Sequence, residues 1–169
     1  KMSQYEIIAI GISIFSAVIA GLSVLAARST FKENRNLTYL QFYNFISKHH
    51  SEEITGLRRI VRDGLELKAQ EAQKLKKTLA EFDPDFHLKV SALANYYESL
   101  GMFLQGSWHF LPTDVKKTML AMLHNSVSKH WPPINKYKSL IHPDPPRDWA
   151  QSFQWLYNEV DKYRKENNQ

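Results

Sequence analysis

The sequence predicts an all-α protein: an N-terminal transmembrane helix followed by a helical bundle of about five to six helices. Three observations carry this. Residues 7–27, IIAIGISIFSAVIAGLSVLAA, contain no charged side chain. Apolar positions then recur three and four residues apart through most of the remaining chain. No stretch alternates with period two long enough to argue a strand.

The 7–27 run is long enough at 1.5 Å per residue to cross a hydrocarbon core of about 30 Å. In lipid a helix satisfies its own backbone groups, so a span is the expected form. A cleaved secretory signal is the competing reading, since Val24-Leu25-Ala26 and Ala27 resemble a cleavage site. The run is too long for that, and only Lys1, offset by Glu6, precedes it. Arg28, Lys32 and Arg35 follow the span directly. Positive charge is retained on the inner side, so the N-terminus is expected outside and the C-terminal part in the cytoplasm. The same three cations are the expected contacts to lipid headgroups. Ala9, Ser13, Ala17 and Gly21 recur every fourth residue, a face on which two membrane helices can pack closely.

The anchor is assigned to 1–28, a helix continuing from it to 29–50, the bundle to 51–166 and a tail to 167–169. From Arg28 to about His50 there is neither Pro nor Gly. Phe31, Thr38, Phe42, Phe45 and Ile46 share one face there. Ser51 with Glu52 and Glu53 reads as a helix start, a hydroxyl cap with acids at the positive end of the dipole. Asp63-Gly64 reads as its stop, and Leu65–Phe82 as a charged helix at the bundle edge. Asp83-Pro84 opens the next helix. Its stripe of Phe86, Val90, Leu93, Tyr97, Leu100 and Leu104 marks the central helix, and Ala94 and Gly101 let a neighbour come close. Thr113 is read as the cap of the following helix, which Pro132 and Pro133 break or kink. A short helix is expected over Ile134–Ile141, then a rigid HPDPPR linker. The last helix, from about Asp148 to Glu166, carries Trp149, Phe153, Leu156, Val160 and Tyr163.

The chain has 169 residues, a net charge of +5 and no Cys. Disulfides, thiolate metal sites and a Cys nucleophile are thereby excluded. The excess charge lies between Arg28 and Phe82, with eleven basic against seven acidic residues. None of the seven His falls in a helical ligand motif such as HExxH, so neither a metal nor another cofactor is expected. His49 and His50, adjacent on a helix, are read as pointing apart. Glu98, at the margin of the strongest stripe, is read as a buried structural carboxylate paired with Arg58, Arg59 or Arg62. There is no phosphate loop and no GxSxG. The basic runs at 58–62 and 74–77 belong to no nucleic-acid module, so no nucleic-acid partner and no small-molecule substrate is expected.

The span, the NYYESLGMFLQG segment (Asn95–Gly106), the tryptophan-proline block from Trp131 to Ile134 and the SFQWLYNEV helix (Ser152–Val160) together resemble a poorly characterised family of small bacterial proteins. Its members combine one N-terminal membrane helix with a cytoplasmic helical domain of unknown function. The resemblance implies an architecture and a bacterial inner-membrane location, and no activity. The expected function is a non-enzymatic, membrane-anchored interaction module, a subunit or regulator of a larger assembly whose partner is another protein or a second copy. Trp108, Trp155 and Tyr157 are the candidate partner surface. Two alternatives are a defence or stress effector acting through self-association of its span, and an enzyme using Glu98 and a His.

Overall fold

The computed structural model describes residues 40–144 and 149–167. The anchor, its small-residue face (Ala9, Ser13, Ala17, Gly21) and the basic cluster (Arg28, Lys32, Arg35) lie outside the described residues. Among the described residues no helix is long and apolar enough to cross a membrane, and every regular element is helical.

The chain divides into two compact units at Asn44/Phe45. In the first, residues 40–44 are helical. The second opens with helical residues 45–49, here α1, six residues before the expected start of the bundle. It continues with α2 (Glu52–Lys74), α3 (Leu79–Phe82), α4 (Pro84–Ser107), a 3-10 turn (Trp108–Phe110), α5 (Thr113–Lys136), α6 (Lys138–Ile141) and α7 (Gln151–Asn167).

The four long helices form a ring. α7 packs on α4 and α5, and α2 packs on the same two helices from the other side. Going round, the order is therefore α2, α4, α7, α5. The α4 stripe supplies the centre: Phe86, Val90, Leu93, Tyr97, Leu100 and Leu104 are all buried. Each such apolar side chain contributes about 1.5–3 kcal/mol when taken out of water. Tyr97 stacks on Phe153 of α7 with ring centroids 4.6 Å apart, and Phe153 meets Trp131 of α5 edge-on at 4.9 Å. One aromatic layer thus ties α4, α5 and α7 together.

Helix starts follow local chemistry. The Ser51 hydroxyl accepts from the Ile54 amide, and Asp83 accepts from Phe86 with Pro84 at the first position. Thr78 and Glu81 form a reciprocal capping box at α3.

Several expectations are corrected. Gly64 does not end a helix: α2 runs through it to Lys74. The Phe86 ring lies so close that a Cβ on Gly64 would sit 2.9 Å from Phe86 Cε2. Ring packing there offsets the ~1 kcal/mol that a mid-helix glycine costs. Leu65–Phe82 is not one helix. It stops where Lys76 takes φ 54°, with Lys77 N–H bonded to Ala72 O and Lys76 N–H to Gln73 O. That pattern is a Schellman stop. Thr113 makes no cap bond and lies inside α5 after Pro112. Pro132 and Pro133 do not break α5, which continues to Lys136. The lost amides are outweighed by Trp131 and Ile134, which stay buried on the same stripe. Trp149 precedes α7 and packs on His142, centroids 4.8 Å apart.

Candidate functional site

Polar side chains collect where α1, α2, α4 and α5 meet. His49 lies one turn after Phe45 on α1, and only 1% of its surface is exposed. Arg58 holds the helical register between Ile54 and Val61 on the inner side of α2. His130 occupies the core register of Leu123, Val127 and Ile134 on α5. Each is a polar residue at a position that the spacing reserves for apolar side chains.

The hydrogen bonds fix their states. Arg58 Nη1 donates to His49 Nε2 over 2.9 Å. A guanidinium is only a donor, so Nε2 must be unprotonated and Nδ1 carries the hydrogen. Nδ1–H then donates to Tyr96 Oη, 3.0 Å away, and Tyr96 in turn donates to the Phe45 carbonyl at 3.4 Å. Ser126 Oγ lies 3.1 Å from the same Nε2 and donates to the Leu123 carbonyl. Burial, helped by the charge on Arg58, lowers the His49 pKa to about 3. Neutral His49 is thus the acceptor that holds Arg58, whose Nη2 also donates to His49 O (2.8 Å) and Thr55 Oγ1 (3.0 Å).

His130 is nearly enclosed, with Nδ1 2.6 Å from Ser126 O and Nε2 3.0 Å from Arg58 O. Burial lowers its pKa; the two carbonyls oppose that shift, and the charges of Arg58 and Arg62 add to it. Tyr97 is fully buried, and its hydroxyl has no hydrogen-bond partner. Burial pushes its pKa up to about 12, moderated by the neighbouring Ser126 hydroxyl and Arg58 guanidinium.

Outside this network a cleft of about 280 Å³ opens between α2 and α5. Thr55, Arg58, Arg59 and Arg62 line one wall, and Asn125, Ser126, Lys129 and His130 the other. No carboxylate lines it. Arg62 is neutralised by Asp63 at 2.7 Å, but among the described residues Arg58, Arg59 and Lys129 make no ion pair.

Glu98, Trp108, Trp155 and Tyr157, the candidate residues named from the sequence, sit elsewhere. Glu98 is half-buried and is not paired with Arg58, Arg59 or Arg62. Its two oxygens accept the Ser152 amide (3.1 Å) and the Phe153 amide (2.8 Å) at the start of α7. A carboxylate satisfies the otherwise unpaired amides of a helix N-terminus and its positive dipole end together. Glu98→Ala removes both acceptors and is expected to cost about 2 kcal/mol, read as a lower urea midpoint, with Glu98→Gln intermediate. Trp108 and Trp155 are half-buried and meet edge to face at 5.3 Å, with Lys116 Nζ over Trp108. Tyr157 leans on Trp131 at 6.3 Å. All three make contacts within the bundle and stay half-exposed. His49 and His50 do not point apart; their rings meet edge-on at 5.4 Å, because the helix ends at His49. Among the described residues no three His, Asp or Glu gather as a metal site would require.

Comparison with protein-family models, curated proteins and solved structures finds no match to this chain.

Proposed function

We propose that the chain is a membrane-anchored helical binding module, with residues 7–27 as a single span and the bundle carried beside the membrane. The observation that carries this is the charge-free 7–27 run followed at once by Arg28, Lys32 and Arg35. On this reading the N-terminus faces out and the bundle lies in the cytoplasm of a bacterium, at the inner membrane. The role is placement. An anchor confines the bundle to a thin layer, where a weak contact with a protein partner or a second copy becomes a stable one through effective concentration. A binding role fits the site chemistry: His49 is spent on holding Arg58, and Glu98 on capping α7. The test is extraction of cell membranes with alkaline carbonate. The full chain is expected in the pellet with its N-terminus uncleaved, and a chain lacking 7–27 in the supernatant. An intact chain found in the supernatant ends the reading.

A further inference from the structure

We propose that the cleft between α2 and α5 binds the phosphate of a phosphomonoester. This inference stands on the bundle alone and holds or fails independently of the anchor.

The first ground is uncompensated charge. Arg58 is half-buried, and all of its hydrogen-bond partners are neutral: a histidine nitrogen, a carbonyl and a hydroxyl. Arg59 and Lys129 face the same cleft without an ion pair. Cations lining one cleft repel one another, and a half-buried guanidinium loses part of its hydration. An external anion relieves both. A phosphomonoester dianion matches the charge better than a single carboxylate, and its oxygens suit the planar guanidinium fork.

The second ground is pre-organisation. The Arg58 guanidinium is not a loose surface group: three hydrogen bonds to His49 and Thr55 set its plane before any ligand arrives. His49 is held in turn by Tyr96 and by the Phe45 carbonyl beyond it. A surface arginine needed only for solubility has no use for such a buried support. Thr55 and Asn125, both exposed on the rim, add a hydroxyl and an amide as neutral donors. A volume of about 280 Å³ admits a phosphate with a small substituent.

The same phosphate group is offered by a soluble phosphomonoester and by the headgroup of an acidic lipid. The experiment separates them. The full chain in non-ionic detergent is titrated with inorganic phosphate, glycerol phosphate and dihexanoyl phosphatidic acid, at ionic strength matched with chloride, and heat of binding is recorded. Saturable binding is expected. It should weaken at least tenfold in the Arg59→Gln/Lys129→Gln double variant, whose side chains make no structural bond. It should change less than twofold in Lys77→Gln/Lys117→Gln, which removes equal charge outside the cleft. Arg58→Gln should abolish binding, but it also disturbs the His49 network, so the decision rests on the exposed pair. Phosphatidic acid binding ten times tighter than glycerol phosphate identifies a lipid headgroup, and equal affinity a soluble ligand; both support the site. Absence of saturable binding with every probe overturns the proposal, as does equal weakening by the two double variants.

Discussion

Between pH 7 and pH 4.5 the bundle is expected to lose about 2–3 kcal/mol of stability through His49 alone. The sign follows from the network. In the folded chain His49 Nε2 accepts from Arg58, so protonating it would place a second cation against a buried guanidinium. Its pKa therefore falls from 6.5 to about 3, by burial first and by Arg58, His50 and His130 after it. In the unfolded chain the ring titrates normally. Between those two values the unfolded state binds a proton that the folded state refuses, so stability is full above about pH 6.5 and drains away as the pH falls. His130 and His142, also lowered, act in the same direction. The carboxylates with lowered pKa (Asp63, Glu66, Glu81, Asp83 and Asp161) work in a separate window. Their contribution is present above their ordinary values and is lost only as the pH falls through the lower folded ones. A loss between pH 6.5 and 4.5 thus belongs to histidine. Urea midpoints measured across this range check it. His49→Gln keeps an acceptor for Arg58 and a donor for Tyr96 but does not titrate, so its midpoint should fall much less steeply. Equal slopes in the two proteins would show that the network is not the source.

The helical class and the central stripe were legible because they rest on repeated spacing. Phe86, Val90, Leu93, Tyr97, Leu100 and Leu104 describe one face whatever surrounds them, and that face is the core. Caps made by neighbours in sequence were legible too, as at Ser51 and Asp83. The missed boundaries share a cause: what decides them lies far along the chain or lacks the usual residue. Gly64 reads as a stop until Phe86, twenty-two residues on, covers it. The true end of α2 places Lys76, not glycine, in the left-handed position, so it carries no composition signal. The site was hidden differently. His49, Arg58 and His130 stand in apolar registers, which was the available signal, but their meaning lies in contacts made across 9 to 77 residues of sequence. Weighed singly as metal ligands or flanking charges, they gave no hint of one another. The place of Glu98 at the edge of an apolar stripe calls for a partner, yet no charge pattern reveals that the partners are two backbone amides.

Glycine to alanine substitutions are expected to give opposite signs along this one chain, and the difference measures how α4 and α7 meet. At Gly101 an added Cβ would lie 2.2 Å from the Ser152 carbonyl oxygen and 2.5 Å from its carbon. Those are backbone atoms of α7, which cannot turn aside as a side chain can. The helices must separate, and the separation acts first on the bonds from Ser152 and Phe153 to Glu98, one turn away on the same face of α4. Overpacking against backbone together with loss of a charged cap gives an expected cost of about 4 kcal/mol for Gly101→Ala. In a domain of this size that lowers Tm by roughly 10 °C. Gly56 lies in α2 and Gly106 near the end of α4, and a Cβ at either meets nothing within 4 Å. Neither has a positive φ, so alanine fits both backbones and reduces the freedom of the unfolded chain. Gly56→Ala is expected to raise stability by about 0.5–1 kcal/mol, with Gly106→Ala similar or smaller. Thermal melts of the three variants check the set. A Gly101→Ala protein as stable as Gly56→Ala would mean that α7 does not dock its first turn on α4, and the role assigned to Glu98 would fall with it.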